Sequence, residues 1–349
     1  MTQKQNSNVP AIIVCILLFG MISFVTNLAS PMGDILKNQF QVANWMGTLG
    51  VLCNFIAYAV MGIPAGNILQ KKGYKFTALV AVAVGFAGVG IQTIAGLLTG
   101  NLAFGIYLLG AFVAGFSMCM LNIVVNPMLN KLGGGGNRGN QLVQVGGSFN
   151  SLMGTAVIFL TGVFVPEIAK AHISQVFPLM GIALAIFAAA FVVILLTKIP
   201  ENPSVGAKVE EKLQYGPMSF RHFVLGAVAI FIYVGVEVGI PNVLQKWLQN
   251  GGLNVTGDAA TAIAGTVTAT YWLLMLVGRL VGAALGAKVS AKNMLVAVSA
   301  VGLGLVLGAM LLSPETVVNL PVFQGTAGFG FASVPVNAPL SMVFTCLGI

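Results

Sequence analysis

Residues 223–244, FVLGAVAIFIYVGVEVGIPNVL, form an apolar run in which Glu237 is the only charged residue. In a helix that rises 1.5 Å per residue, the Glu237 carboxylate would lie about 15 to 20 Å from either end of this run. In lipid that position costs a charged side chain several kcal/mol unless it is protonated, paired or facing water. The run therefore predicts a membrane helix with an ion or proton site beside a substrate cavity. The alternative is a protonated Glu that bonds to a neighbouring helix and has only a structural role.

The composition indicates an integral membrane protein of the helical kind. Of the 349 residues, 57% are hydrophobic and 7% charged, whereas a soluble domain is about 25% charged. The apolar runs are about 20 residues long, and barrel strands would be about 10 residues with alternating polarity. The net charge of +8 does not indicate nucleic acid binding, because the basic residues are spread over short loops. The cysteines lack a CxxC pair and are interpreted as small core residues, with no disulfide or metal implied: Cys15, Cys53, Cys119 and Cys346.

The apolar runs predict nine complete membrane-spanning helices and the start of a tenth. The first, from Pro10 to about Pro31, follows a short polar segment and is interpreted as an uncleaved helix rather than a signal peptide. The others cover about 44–69, 76–98, 104–128, 142–165, 175–197, 223–247, 259–286 and 293–312, and the last begins near Ala338.

The distribution of Lys and Arg predicts the orientation. If the amino terminus is placed inside and the spans alternate, the inner segments hold twelve basic residues. The outer segments hold three, Lys37, Lys170 and Lys246. Inner loops are enriched in Lys and Arg, so we expect a cytoplasmic amino terminus in the cytoplasmic membrane.

The chain divides into two parts. Residues 1–197 are predicted to form a six-helix half, 198–222 a cytoplasmic linker, and 223–349 the beginning of a second half. GNILQKKGYK, after the second span, and GAALGAKVSAK, after the eighth, repeat Gly, Leu and Lys at a constant offset of 216. Two such halves are typical of transporters with parallel repeats. A complete second half would extend further than Ile349, and we expect the second half to be truncated.

No catalytic constellation or phosphate-binding loop is visible, so an enzyme is not expected. Polar residues inside the apolar runs are the candidate ligands for a substrate. Amides both donate and accept hydrogen bonds, and with an aromatic side chain they suit a neutral, polyhydroxylated solute. The candidates are Asn27, Asn122, Gln144, Asn150 and Trp272. For each amide, bonding between helices is the alternative role. Arg279 is expected to extend to the inner surface rather than contact substrate.

Several motifs resemble known transporters. The paired loops GNILQKKGYK and GAALGAKVSAK resemble those of the major facilitator superfamily. Within it, NPMLNKLG (126–133), SFNSLMGT (148–155) and FIYVGVEVGI (231–240) resemble the fucose–proton symporter family, which includes glucose and galactose transporters. The resemblance covers nearly all of the chain. It implies a twelve-helix fold, alternating access and cation-coupled sugar uptake.

The family's functional residues match this chain unevenly. Its acidic residue in the fourth helix falls on Asn122, and its carboxylate in the first helix falls on Ser30, or on Asp34 in a gapped alignment. Its Asn in the fifth helix is kept as Asn150, and the Glu of its hexose-type members is kept as Glu237. The resemblance therefore implies Glu237 as the coupling group, with either a proton or Na⁺ as the cation.

The sequence thus predicts an all-α major facilitator fold and a monomeric secondary active transporter of a sugar or similar solute, coupled to a cation and without a cofactor. It leaves open the sugar, the cation and the direction of transport. The alternatives are a facilitator or exporter of another small polar solute, and a truncated membrane protein that does not transport.

Overall fold

The computed structural model describes residues 9–165, 170–201, 216–249, 258–286, 288–313, 315–326 and 330–348. Within these ranges the chain forms ten α-helices and one β-hairpin. The helices are α1 (Val9–Phe40), α2 (Asn44–Gly47), α3 (Leu49–Ala95), α4 (Gly100–Leu132), α5 (Gly136–Phe164), α6 (Phe177–Leu196), α7 (Arg221–Gln249), α8 (Asp258–Leu285), α9 (Ala291–Leu311) and α10 (Leu340–Gly348). Of the predicted linker, residues 202–215 lie outside the described ranges.

Among the described residues, seven helices are long and apolar enough to cross a membrane. The 47-residue α3 is interrupted at Gly73, where φ is 84° and ψ is 179°, and so accounts for two of the predicted spans. The apolar part of α8, Thr270–Leu285, is shorter. Each of the nine complete spans predicted from the sequence coincides with one of these helices or helix segments. Helices are expected here, because lipid offers no partners for backbone N–H and C=O groups.

Small residues let the helices of the first part approach closely. A side chain at Gly88 of α3 would lie 2.5 Å from the backbone nitrogen of Ala114 in α4, and one at Gly115 would lie 2.6 Å from the carbonyl of Asn54. Such contacts bring backbones together where no hydrophobic effect drives association. Large side chains fill the remaining core, among them Leu18, Phe24, Tyr107, Met118 and Phe187, together with the free thiols of Cys15 and Cys119.

The later helices join this bundle along one principal contact, between α5 and α8. Helix α7 packs beside α8, and α9 packs against α10. Because α8 contacts α5 and also packs beside α7, side chains of α7 and α8 lie next to polar residues of the first six spans.

A β-hairpin follows α9, in a part of the chain where the sequence predicts no membrane span. Strand β1 (Val317–Thr326) pairs antiparallel with β2 (Gly330–Pro339), with Pro321 opposite Pro335. Proline in a helix interior removes a hydrogen bond and clashes with the preceding turn, and the β-branched residues around it favour strands. The short helix α10 begins at Leu340, two residues after the predicted start.

Candidate functional site

Glu237 and Arg279 form an ion pair inside the bundle. Nη2 of Arg279, on α8, donates to Oε1 of Glu237, on α7, over 2.9 Å. The two side chains are 21% and 15% exposed respectively. The carboxylate therefore has a counter-charge that the neighbouring helix supplies, which satisfies one of the conditions under which a charge is tolerated within a membrane helix.

Arg279 also bonds to α5. Its Nη1 donates to the carbonyl of Gly147 over 2.7 Å and to the hydroxyl of Ser151 over 3.1 Å. A Cβ at position 147 would lie 3.3 Å from Cδ of Arg279, so the absence of a side chain at Gly147 lets the guanidinium approach the α5 backbone. One guanidinium thus joins α5, α7 and α8.

A proline explains a second contact between α7 and α8. In a helix the carbonyl of Glu237 would accept from the backbone N–H of residue 241, but that residue is Pro241, which has no N–H. The hydroxyl of Tyr271, a buried residue of α8, donates to this carbonyl over 3.2 Å. Trp272, a predicted substrate ligand, packs edge-on against the Tyr271 ring. Both the carboxylate and the main chain of Glu237 are therefore held by α8.

At the end of the bundle where α1 and α7 terminate, a set of polar side chains joins the two helices. We call it the α1–α7 clasp, and it consists of Ser30 and Asp34 on α1 with Asn242, Gln245, Lys246 and Gln249 on α7. Asp34 pairs with the ammonium of Lys246 and accepts from Gln249 over 3.1 Å. The Ser30 hydroxyl lies 3.3 Å from the side-chain oxygens of both Asn242 and Gln245.

Toward the opposite end, α5 and α8 make a further contact. Nε2 of Gln141 donates to the carbonyl of Ala283 over 2.9 Å. Gln144, another predicted substrate ligand, lies one turn later, with its amide carbon 4.0 Å from where a side chain at Gly282 would begin. Gln144 is thus part of the α5–α8 contact.

The asparagine side chains of the first helices fall into two groups. Nδ2 of Asn122, on α4, donates to the hydroxyl of Tyr58, on α3, over 3.0 Å, and Asn126 donates to the backbone carbonyl of Asn122 within α4. Nδ2 of Asn150 donates to the carbonyl of Phe19 over 2.9 Å, between α1 and α5.

Asn27 belongs to the second group. It bonds to Ser23 in its own helix, and its Nδ2 lies 3.1 Å from where a side chain at Gly154 would begin. Gly154 is one turn beyond Asn150, so Asn27 and Asn150 share the α1–α5 contact. Asn150 also directly precedes Ser151, which binds Arg279. The described hydrogen bonds do not join Asn122 to this group.

The expectation that Arg279 extends to the inner surface is wrong. Its guanidinium points instead at Glu237, because a paired charge with three acceptors is favoured over an unpaired carboxylate in the apolar interior. The sequence did carry a signal for this pair. Arg279 is a base within an apolar run, and the run preceding it holds a single acid, Glu237.

Comparison with known proteins identifies relatives over most of the chain. The sequence profile of the Major Facilitator Superfamily matches residues 11–345. A glucose/galactose transporter of Brucella abortus is 28% identical over 292 residues, which cover 81% of this chain and 68% of that protein. The L-fucose-proton symporter of Escherichia coli is 23% identical over 336 residues, covering 87% of this chain and 73% of that protein. A crystal structure of the Escherichia coli fucose:proton symporter superposes with a TM-score of 0.73 at 17% identity, over 98% of this chain and 81% of that one.

Proposed function

The chain belongs to the major facilitator superfamily, a family of multi-pass membrane transporters, and from this premise we propose that it carries a sugar or similar polyhydroxylated solute by cation-coupled symport. The names of its relatives support sugar as the substrate class, since they include glucose/galactose and fucose transporters. The low identity to the solved symporter supports the fold alone.

The polar side chains of the bundle also support a neutral substrate. Asn27, Gln144 and Asn150 carry amides that can both donate and accept hydrogen bonds, whereas Trp272 is buried beside Tyr271 and would contact a sugar ring only if it became uncovered. The guanidinium of Arg279 is engaged with Glu237, Gly147 and Ser151, and Lys246 is engaged with Asp34. Both basic side chains are therefore already bound to other groups of the protein, which does not favour an anionic substrate.

The observation that carries coupling is the position of Glu237. A carboxylate in the middle of a membrane helix, with its charge balanced by a residue of another helix, can exchange that partner for a proton or Na⁺. Such an exchange would change the contacts of α7 with α8.

Alternating access requires contacts that close at one side of the membrane and open at the other. With the amino terminus inside, the α1–α7 clasp lies toward the outer surface, and the Gln141–Ala283 bond lies toward the inner surface. We propose that the clasp opens when the substrate enters from outside. The transporter is expected to act as a monomer in the cytoplasmic membrane.

Substitution of Glu237 tests this function. The full-length chain is reconstituted in vesicles, and uptake of labelled glucose, galactose and fucose is measured with and without proton or Na⁺ gradients. We predict that Glu237→Gln, which keeps the shape but removes the charge, abolishes gradient-driven accumulation and leaves passive exchange of sugar largely intact.

The matched control is Glu315→Gln, the same chemical change at an exposed position between α9 and the hairpin. This variant is expected to retain both accumulation and exchange. Normal uphill uptake by Glu237→Gln would show that Glu237 has only a structural role. Loss of both activities would place Glu237 in substrate binding or folding instead.

A further inference from the structure

Arg279 occupies an unusual position between the two parts of the chain. Its guanidinium bonds to the Glu237 carboxylate on α7 and, through Nη1, to the Gly147 carbonyl and the Ser151 hydroxyl on α5. Helices α5 and α8 form the principal contact between the first six spans and the later ones. The charge state of Glu237 is thus linked, through one side chain, to the contact between the two parts.

We infer that Arg279 transmits cation binding at Glu237 to the α5–α8 contact, and that it is therefore a positioning residue for coupling; this inference rests on the function proposed above. With the cation site empty, carboxylate and guanidinium form a neutral pair. When Glu237 takes up a proton or Na⁺, it no longer balances the guanidinium, which itself stays protonated. The pair then has a net charge of about +1 in an apolar interior, a state that burial disfavours.

The excess charge is relieved if the guanidinium moves toward water, and such a movement breaks its bonds to Gly147 and Ser151. Cation binding would thereby loosen α5 from α8. In the reverse direction, closure of the contact returns Arg279 to Glu237 and favours release of the cation. A ligand shifts a conformational equilibrium only through its different affinity for the two states, and Arg279 supplies that difference.

The geometry requires arginine rather than any cation. The guanidinium has donors in a fixed planar fork, so it can serve acceptors on two helices at once, whereas an ammonium is a compact point charge. Gly147 contributes by lacking a side chain, because a Cβ there would lie 3.3 Å from Cδ of Arg279.

Other titratable groups near the pair do not supply the charge. Tyr233, one turn before Glu237 on α7, interacts with both members of the pair, and Tyr271 of α8 binds the Glu237 carbonyl. Both are phenols and remain neutral near pH 7. From α5, the described contacts with Arg279 are a carbonyl and a hydroxyl. The Asp34–Lys246 pair lies about 13 Å further along α7 and is balanced within itself.

The test measures the α5–α8 distance as a function of cation concentration. Spin labels are attached at Val145→Cys in α5 and Val281→Cys in α8, two exposed positions outside the polar contacts, with the native cysteines replaced by alanine. The full chain is placed in lipid nanodiscs, and the distance distribution is recorded by electron paramagnetic resonance during separate titrations with protons and with Na⁺.

We expect a cation-dependent change of the distance in the parent chain and its loss in Glu237→Gln. Arg279→Gln should also lose the response, because the carboxylate then has no competing counter-charge and binds the cation throughout the range. Arg279→Lys, which keeps the charge but not the fork, should show a smaller distance change than the parent chain, because an ammonium is a compact point charge and does not present the planar fork that bonds to α5 and α7 together.

The control is Thr197→Ala, which removes a side-chain hydrogen bond at the end of α6 without touching Glu237 or the α5–α8 contact. Its midpoint should equal that of the parent chain. If Arg279→Gln aggregates, Ser151→Ala is measured instead. This variant keeps the Arg279–Glu237 pair but loses one bond of Arg279 to α5, so the cation-dependent change in the α5–α8 distance should be smaller than in the parent chain.

The outcomes separate this inference from the proposed function. A response that persists in Arg279→Gln and is lost in Glu237→Gln would overturn the role of Arg279 and leave Glu237 as the coupling group. A parent chain that responds to neither cation would overturn both.

Discussion

At the scale of single residues, Asn150 links the candidate substrate contacts to the ion pair. Its amide uses one described hydrogen bond, to the Phe19 carbonyl, although an amide can donate two and accept two. The next residue, Ser151, binds Arg279. A sugar hydroxyl that bonds to Asn150 would therefore bind beside the turn of α5 that holds the guanidinium.

We predict that Asn150→Ala weakens substrate binding by on the order of 1 to 3 kcal/mol, because the sugar hydroxyl that bonds to Asn150 would be left without its partner. For Asn122→Ala, whose described partner is Tyr58, the same loss is predicted from the family resemblance at that position. The measurement is the dissociation constant of whichever sugar the uptake assay identifies. Asn130→Ala is the control, since Asn130 bonds to Asn140 at the exposed end of α4 and should leave binding unchanged. Unaltered affinity in either of the first two variants would exclude that residue from the site.

Glu237 could be identified from the sequence because a lone charge in a long apolar run is conspicuous. The sequence marks Arg279 as a second lone charge in an apolar run, but its bonds to α5 depend on how α8 rotates toward α7 and α5, and no local pattern fixes that rotation. The α1–α7 clasp was missed for a similar reason. The predicted span 223–247 already contains Lys246 at its outer end, but no local pattern indicates that this residue meets Asp34 of α1.

At the scale of the elements, the break in α3 shows how a short loop is fixed. Gly73 has φ 84° and ψ 179°, a conformation that is essentially restricted to glycine. The helix that resumes afterwards has its first N–H groups satisfied by the Glu201 carboxylate, which accepts from Tyr74 over 2.6 Å and from Lys75 over 2.8 Å. Lys75 in turn donates to the carbonyls of Leu195 and Thr197 at the end of α6.

Gly73→Ala should destabilise the protein by about 1 to 3 kcal/mol, because of the positive φ. In addition, the added Cβ would collide with the Glu201 carboxylate. The measurement is the thermal unfolding midpoint in detergent. Gly62→Ala, in the same helix, is the control, since nothing lies within 4 Å of where its Cβ would be. Equal midpoints for the two variants would contradict this account of the break.

The helices of this chain were predictable because each combines a long apolar run with polar ends. The β1–β2 hairpin was not, because residues 313–337 show neither a run long enough to cross a membrane nor a clear alternation of polarity. Pairing of residues as distant as Val317 and Pro339 is a non-local property, which a scan for membrane spans does not test.

At the scale of the whole molecule, the roles proposed for the contacts between helices depend on the orientation that the distribution of Lys and Arg predicts. The predicted orientation, with the amino terminus inside, would assign the α1–α7 clasp to the outer side and the Gln141–Ala283 bond to the inner side. If the orientation were reversed, the two contacts would exchange roles, and the clasp would control release into the cell. The order of opening in the proposed transport cycle therefore depends on which side the amino terminus occupies.

The orientation follows from the Lys and Arg count, and we predict that Lys170 faces outward and Lys72 inward. Both side chains are exposed in the structure. In intact cells, a membrane-impermeant maleimide should label Lys170→Cys, which precedes α6, and should fail to label Lys72→Cys, which lies beside the break in α3. Permeabilised cells provide the control, because both positions should then react to a similar extent. The opposite labelling pattern in intact cells would show that the orientation is reversed. The twelve basic residues assigned to the inner segments would then face outward, against the tendency of Lys and Arg to remain in the cytoplasm.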